Sequence, residues 1–243
     1  MHSVDIHFKD KVVLISGSSR GIGRHLAIEF GKLHAIVIVN YLKSKRKALK
    51  IVREINENGG RASAIKADVS KIKEVKTMCQ RIMDNHSAID ILINNAGGVF
   101  EDIDWTKHNS DSWSKTIDVN LTGVFNCIHT IAPIMISQKS GRILNISSLR
   151  SMLGATDIVA YAAAKAGANN LTKSYAKILG PNVNINSLVL GQIDNDNDVP
   201  NDSLKGRSGS YKDVFSAVSF LTSPESDFIT GQTLVVDGGA SLK

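Results

Sequence analysis

The sequence predicts a single α/β domain built on a doubly wound parallel sheet of about seven strands. Short apolar runs such as Val12–Ile15 alternate with longer amphipathic segments along the 243-residue chain. The runs are apolar throughout, as in strands that helices cover on both faces. No glycine- or proline-rich linker and no internal repeat interrupts the alternation. Residues 1–243 are therefore expected to form one domain with right-handed crossovers.

The order of the elements follows from the periodicity. Strands are predicted at residues 12–15, 35–39, 62–66, 91–93, 142–146, 183–189 and 234–236. One helix is predicted after the first strand and ends at about residue 33. A second follows the second strand and ends at Asn58-Gly59-Gly60. Further helices are predicted at residues 71–86, 111–138, 160–178 and 212–222. Residues 1–9 are expected to form a short polar arm.

Charge and composition exclude several classes of function. The net charge of +6 comes without a basic tail or arginine–aromatic interleaving, so nucleic acid is not expected as a partner. A polyanionic cofactor is the simpler reason for the basic balance. The seven histidines show no metal-ligand spacing, and no metal is predicted.

The remaining composition points to a cytoplasmic protein. No apolar run is predicted to span a membrane, and the amino terminus has no apolar signal core, so no membrane association is expected. Cys79 and Cys127 are far apart in predicted helices and are expected to be buried, unpaired thiols, as in a reducing compartment.

A glycine-rich turn, Gly17-Ser18-Ser19-Arg20-Gly21-Ile22-Gly23, connects the first predicted strand to the first helix. Glycines let the backbone approach a pyrophosphate, and the helix amino terminus offers free N–H groups to it. An ordinary tight turn is the alternative, but it would not need three glycines at this spacing. The turn predicts a dinucleotide-binding (Rossmann) site.

The end of the second strand predicts which dinucleotide binds. NAD-binding folds place an acidic residue there to hold the ribose 2′-hydroxyl. This chain has Asn40 at that place, followed by Tyr41, Lys43, Lys45 and Arg46. With Arg20 in the glycine turn, these cations suit a 2′-phosphate and favour NADP (NADPH). A solvated basic helix start would account for Lys45 and Arg46 but less well for Arg20.

Tyr161 and Lys165 are four residues apart and share one helix face. A lysine ammonium beside a phenol is expected to lower the tyrosine pKa and to prepare Tyr161 for proton transfer to a substrate oxygen. Ser148, thirteen residues upstream, could hydrogen-bond the same oxygen. The alternative is a surface pair on an amphipathic helix.

Over about residues 10–240 the chain resembles the short-chain dehydrogenase/reductase family. The motifs that carry the resemblance are Ser16-Gly17 through Gly23, Ala67-Asp68-Val69, Asn94-Asn95-Ala96-Gly97, Val119-Asn120, Ser148, Tyr161-x-x-x-Lys165 and Asp237-Gly238-Gly239.

The resemblance implies a catalytic tetrad of Asn120, Ser148, Tyr161 and Lys165, with a water chain supported by Asn120. It also implies that Asp68 bonds the adenine amine and that Lys165 holds the nicotinamide ribose. The expected cofactor-binding residues are Gly17, Ser19, Arg20, Gly21, Ile22, Gly23, Asn40, Tyr41, Lys43, Asp68, Val69, Asn95, Ala96, Gly97, Tyr161, Lys165, Gly191 and Ile193.

Among subgroups, the chain is most similar to the 3-oxoacyl-(acyl-carrier-protein) reductases. It departs from them where Leu190-Gly191 replaces the usual Pro-Gly, and the implied substrate lid at residues 192–206 is short. The subgroup uses two basic sites to dock its carrier protein; Lys139 matches one, whereas Pro181-Asn182 occupies the other. Whether an acyl carrier protein docks therefore stays open.

The lid is acidic, with aspartates at 194, 196, 198 and 202, but Val199 and Lys205 break an EF-hand calcium pattern. It is expected to be mobile without ligand and to disfavour anionic groups at the mouth of the site.

The expected activity is hydride transfer between NADP(H) and a ketone, with a 3-oxoacyl thioester as the first substrate. Two alternatives stay open: a sugar, polyol or small-alcohol dehydrogenase, and a cofactor-sensing protein without turnover. The family resemblance and the apolar residues of 111–138 and 160–178 also predict a homotetramer with mutually perpendicular two-fold axes.

Overall fold

The fold is a seven-stranded sheet in the order β3-β2-β1-β4-β5-β6-β7, and each neighbouring pair of strands is parallel. The computed structural model describes residues 7–194 and 203–243. The chain starts in the middle of the sheet, builds one half outward to β3, and returns across β1 to build the other half. The predicted doubly wound fold with seven strands is confirmed.

The element boundaries lie close to those expected from the sequence. The strands are β1 (Val12–Ile15), β2 (Ile36–Tyr41), β3 (Arg61–Lys66), β4 (Ile91–Asn94), β5 (Gly141–Ser148), β6 (Val183–Leu190) and β7 (Thr233–Val236). The helices are α1 (Gly21–Lys32), α2 (Lys45–Glu57), α3 (Ile72–His86), α4 (Ser110–Ile117), α5 (Gly123–Ser137), α6 (Arg150–Leu153), α7 (Val159–Leu179) and α8 (Tyr211–Thr222). The four-residue helix α6 was not predicted.

Two apolar layers, one on each face of the sheet, explain the continuous apolar strands. Successive strand side chains point to opposite faces, so Val13 and Ile15 pack with α1, α2 and α8. Val12 and Leu14 pack on the other face with α3, α5 and α7. Burial of each aliphatic side chain in these layers stabilises the folded state by about 1.5–3 kcal/mol relative to leaving it exposed. The second layer also contains Cys79 and Cys127, which are free and buried as predicted.

The helical region from Ser110 to Ser137 corrects two expectations. The ends agree with the predicted 111–138 helix, but residues Asp118–Thr122 form a π-helical turn between α4 and α5. Such turns widen a helix locally and occur frequently at functional sites. This helix is also long and apolar enough to cross a membrane, contrary to the expectation from sequence. Half of the most apolar part of this helix is buried, and α5 contacts α3, α7 and β5, as a core helix does.

The amino-terminal arm is only partly as expected. Residues 1–6 lie outside the described residues, but Phe8 is fully buried rather than part of a polar arm. Its ring meets Phe30 of α1 edge-to-face at a centroid distance of 5.1 Å. This aromatic contact anchors the chain just before β1.

Candidate active site

The glycine-rich turn needs each of its three glycines for a steric reason. A Cβ atom at Gly17 would lie 2.8 Å from the Cα atom of Ala96, and one at Gly23 would lie 2.8 Å from the Cα atom of Ser18. Gly21 has a φ angle of +53°. The side chain of Arg20, the N-cap residue of α1, accepts no hydrogen bond from the helix. The N–H groups of the first turn of α1 therefore stay available to a ligand at the glycine-rich turn. This cradle fits a phosphate group.

Asn40 was expected among the cofactor-binding residues, but its side chain is bonded to the protein itself and supports the glycine turn. Its side-chain oxygen Oδ1 accepts a hydrogen bond from the Gly17 N–H at 3.0 Å, and Nδ2 donates to the Ala67 carbonyl at 3.1 Å. Asn40 is buried, and Tyr41 is also buried, in the core cluster that contains α1 and α2. Asn40 therefore supports the turn from inside the fold, whereas Tyr41 is part of the core.

Ser16 is a second support, and sequence reasoning missed it. Its hydroxyl oxygen accepts the N–H groups of Asn95 at 3.0 Å and Ala96 at 2.9 Å. The Asn95 side-chain nitrogen Nδ2 in turn donates to the Ser16 carbonyl at 2.9 Å. These bonds fix the ends of β1 and β4 at the point where the strand order reverses, which is where ligands bind in open α/β sheets.

The residues expected around the adenosine follow the carboxyl ends of β1, β2 and β3. Arg20 and Lys43 are exposed and make no ion pair with another residue in ranges 7–194 and 203–243. Asp68 Oδ1 accepts from the Ser70 backbone N–H at 3.0 Å and the Ser70 hydroxyl at 2.7 Å. Val69 is buried against Gly123, where a Cβ atom would lie 2.7 Å from the Val69 methyl Cγ2.

A cleft of about 350 Å³ opens at the carboxyl ends of the central strands. It collects side chains and backbone from the ends of β4, β5 and β6 and from the first half of α7. The predicted site residues in its lining are Ile22, Asn95, Gly97, Ser148, Tyr161, Lys165, Gly191 and Ile193. The structure therefore brings the serine, the tyrosine and the lysine together in one cleft.

Burial changes the proton affinities of Tyr161 and Lys165. The Lys165 ammonium donates to the Ile146 carbonyl at 2.8 Å, and burial lowers the pKa of Lys165 to about 8. Burial raises the pKa of the Tyr161 phenol, and its hydrogen bond with the Ser148 side chain opposes that rise. The prediction that Lys165 lowers the Tyr161 pKa is wrong for this structure, because burial is the largest influence and the Ser148 hydrogen bond, not the Lys165 charge, is what opposes it. The Lys165 nitrogen Nζ lies 5.6 Å from the Tyr161 ring centroid.

Asn120, in the π turn, is buried behind the cleft and contacts the Gly98 backbone that lines it. Its Nδ2 donates to the carbonyls of Gly98 at 2.7 Å and Thr116 at 2.9 Å, and its Oδ1 accepts the Gly98 N–H at 3.2 Å. A Cβ atom at Gly97 would lie 2.7 Å from Asn120 Oδ1 and 3.5 Å from Lys165 Nζ. A side chain at position 97 would therefore collide with the Asn120 amide oxygen, whereas the Lys165 distance is an ordinary contact. The water chain expected at Asn120 stays a prediction.

The predicted lid is described only at its two ends. Residues 195–202, which carry three of its four aspartates, lie outside the described residues, and so does the predicted mobility of that stretch. At one end, the Asp194 N–H donates to the Gly209 carbonyl and the Gly209 N–H donates to the Gln192 carbonyl, both at 2.9 Å. At the other end, the Ser203 hydroxyl donates to the Arg207 carbonyl at 2.8 Å. Both ends are fixed to the loop that precedes α8.

The similarity to known proteins extends over nearly the whole chain. Residues 11–203 match the short chain dehydrogenase family. The 3-oxoacyl-[acyl-carrier-protein] reductase FabG of Staphylococcus aureus is 38% identical over 240 residues, covering 94% of this chain and 97% of that protein. The 3-oxoacyl-[acyl-carrier-protein] reductase of Synechocystis sp. is 39% identical over 241 residues, covering 94% of this chain and 96% of its own.

Among solved structures, a gluconate 5-dehydrogenase from Burkholderia cenocepacia in complex with NADP and tartrate is 32% identical. It superimposes with a TM-score of 0.89 over 100% of both chains. The family match, the curated relatives and the assembled cleft agree. The chain belongs to the short-chain dehydrogenase family.

Proposed function

We propose that the protein is an NADP(H)-dependent carbonyl reductase and alcohol dehydrogenase. The observation that carries this proposal is the convergence of Ser148, Tyr161 and Lys165 in one cleft, with Asn120 held against its Gly97-Gly98 wall. These are the residue types that transfer a proton to a carbonyl oxygen and stabilise the charge that develops there. A protein that only sensed a cofactor would not need all four.

A bound nicotinamide would supply the hydride, and the residues of this chain bind and protonate the carbonyl oxygen of the substrate. Tyr161 donates its proton to the carbonyl oxygen as the alcohol forms, and it accepts the proton in the reverse reaction. Ser148 donates a hydrogen bond to the same oxygen and holds the phenol in place. Lys165, fixed by the Ile146 carbonyl, is suited to hold the nicotinamide ribose. Asn120 fixes the Gly98 backbone at the cleft wall.

The proposal of NADP over NAD rests on the charges that follow β1 and β2. Asn40 stands at the end of β2, so no carboxylate is present there to bind a ribose 2′-hydroxyl. Arg20 in the glycine turn and Lys43 after β2 are both exposed. The similar gluconate 5-dehydrogenase was solved with NADP. The adenine and pyrophosphate would lie along Asp68, Val69 and the glycine turn.

Our first substrate candidate is a 3-oxoacyl thioester. Val99, Leu190 and Ile193 give the cleft an apolar wall, and Met152 and Leu153 of α6 expose further apolar surface just after Ser148. This surface suits an acyl chain, and the curated relatives named above are 3-oxoacyl-[acyl-carrier-protein] reductases. A sugar or polyol is the second candidate, because the similar solved structure is a gluconate 5-dehydrogenase.

A substrate panel tests this proposal. Acetoacetyl thioester, free and carried on acyl carrier protein, is offered with NADPH beside a set of simple ketones, and sugars and polyols are offered with NADP. Turnover is followed by the absorbance of the reduced nicotinamide. We expect the thioesters to turn over, with the free form preferred because of the acidic lid. Turnover of polyols alone would support the second candidate, and cofactor binding without any turnover would contradict the proposed function.

The raised pKa of the Tyr161 phenol predicts different pH profiles for the two directions of the reaction. The Tyr161 donor form is fully present at neutral pH, so initial rates of carbonyl reduction should change little between about pH 6 and pH 8. Alcohol oxidation needs the phenolate, whose fraction rises about tenfold per pH unit below the pKa. We therefore expect the oxidation rate to climb steeply above neutral pH. Oxidation that is independent of pH over this range would contradict the role of Tyr161.

The predicted homotetramer is supported by apolar surface on two separate faces. Phe125 and Ile136 of α5 and Ile178 of α7 are exposed on one face. On another, Leu234 is exposed on β7, an edge strand of the sheet, and Phe228, six residues earlier in the chain, is fully exposed. Two distinct self-complementary faces generate a tetramer with perpendicular two-fold axes. Light scattering at micromolar concentration should give four times the 26.2 kDa chain mass, and a monomer mass would contradict the assembly.

A further inference from the structure

The helix that carries Tyr161 and Lys165 has no amino-terminal cap of its own. Its N-cap residue is Ile158, which has no side-chain acceptor, and Val159 and Ala160 follow it. A helix leaves its first N–H groups without intrahelical partners, and an Ser, Thr, Asp or Asn at the N-cap normally accepts one of them. The third helical residue is Tyr161 itself. The cap of α7 must therefore come from another part of the chain.

Glu101 supplies that cap from the loop between β4 and α4. One carboxylate oxygen accepts the Ala160 N–H at 2.7 Å, and the other accepts the Tyr161 N–H at 2.9 Å. The Glu101 side chain is only 1% exposed. A carboxylate at this position also interacts favourably with the positive end of the helix dipole. The catalytic tyrosine is thus held through its own backbone nitrogen by a residue sixty positions earlier.

The same loop also contacts Asn120 and the cleft. Gly98 exchanges two hydrogen bonds with the Asn120 amide, and Val99 lines the cleft. The Phe100 ring lies beneath the Lys115 ammonium of α4 at 4.5 Å. Three residues after Gly98, Glu101 reaches α7. Residues 98–101 therefore connect two tetrad positions and touch the space that a substrate would occupy.

The far end of the loop packs onto the carboxylate. His108 Nδ1 lies 3.8 Å from Glu101 Oε1, and His108 Nε2 hydrogen-bonds the Asp102 carbonyl at 2.8 Å. The chain thus turns back on itself around Glu101, which keeps water from the carboxylate. A carboxylate that served only as a solvated surface charge would not be enclosed in this way.

We propose that Glu101 is a positioning residue, which caps α7 from the substrate loop and thereby fixes the Tyr161 phenol for proton transfer. The inference rests on the proposed function, because it assigns Tyr161 the role of proton donor. A shift of about 1 Å in a reacting group can cost on the order of a hundredfold in rate. Loss of the cap should therefore lower kcat more than it weakens cofactor binding.

Two variants of Glu101 and one control test the proposal. Glu101→Gln keeps the shape and one acceptor oxygen but places an NH₂ group against the second N–H, and Glu101→Ala removes both acceptors. Asn109→Ala removes a matched cap, since Asn109 accepts the Asp111 and Ser112 N–H groups at the start of α4. All three should lose comparable thermal stability. Only the Glu101 variants should lose kcat, by about 10- to 100-fold, with NADPH affinity nearly unchanged.

Amide hydrogen exchange gives a readout that does not depend on turnover. The Ala160 and Tyr161 amides should exchange faster in both Glu101 variants and at the wild-type rate in Asn109→Ala. Unchanged exchange at these amides, or a kcat loss no larger than in Asn109→Ala, would overturn the proposal. If the wild-type protein turned over no substrate of the panel, the proposed function and the catalytic role of Glu101 would both fail, while the exchange experiment would still decide whether Glu101 caps α7. If Glu101→Ala does not fold, Glu101→Gln decides alone.

Discussion

Replacing Tyr161 by phenylalanine is expected to lower turnover by about 10²- to 10⁴-fold, the contribution typical of a positioned general acid. The substitution removes only the phenolic oxygen, and the ring continues to fill its place beside Lys165. NADPH affinity should stay near the wild-type value, because Lys165 and the glycine turn are untouched. The measurement is steady-state kcat on the best substrate of the panel, together with NADPH binding by fluorescence titration.

Tyr175→Phe is the matched control for this experiment. Tyr175 lies on the same helix, is partly buried, and packs against the apolar layer that contains α3 and α5 rather than the cleft. It should keep near-native kcat. If Tyr161→Phe also kept near-native turnover, the phenol would not be the proton donor and the assigned mechanism would be wrong.

Replacing Arg20 by alanine is expected to weaken NADPH by about 10- to 150-fold and NADH much less. A charge-assisted hydrogen bond to a 2′-phosphate contributes about 1.5–3 kcal/mol, and NADH lacks that phosphate. Because both charges are near solvent, raised salt should narrow the difference between the two cofactors. Dissociation constants of both cofactors at two salt concentrations measure the effect.

Arg24→Ala is the control for Arg20. Arg24 lies one turn further along α1 and pairs with Glu54 at 2.9 Å, so its charge is directed at α2 instead of the turn. Its loss should weaken both cofactors little and equally. Equal affinity of the unmodified protein for NADPH and NADH would refute the assignment of NADP.

The sequence was sufficient to predict the fold because strands buried on both faces are apolar at every position. Val12 to Ile15 face two different apolar layers, and no alternating pattern can arise there. The glycine-rich turn could also be predicted from the sequence, because Gly17 and Gly23 lie where no Cβ atom fits. The tetrad residues were identified by resemblance, and the structure places them around one cleft.

Long-range and environmental effects could not be predicted in the same way. Nothing in the residues around Asn120 indicates a π turn, because the helix keeps its apolar periodicity on both sides of it. Glu101 and Ala160 are 59 positions apart, and the only signal was the missing acceptor at Ile158. The Tyr161 pKa was predicted in the wrong direction because sequence spacing shows a neighbouring charge but does not show burial.

The proposed active site is best tested by a crystal structure of the protein with NADP. We expect the nicotinamide ring in the cleft between Gly97, Gly191 and Tyr161, the pyrophosphate over the glycine turn, and the 2′-phosphate against Arg20. With a substrate analogue present, its carbonyl oxygen should lie within hydrogen-bond distance of both Tyr161 and Ser148. A nicotinamide bound away from this cleft, or an analogue oxygen beyond reach of Tyr161, would contradict it.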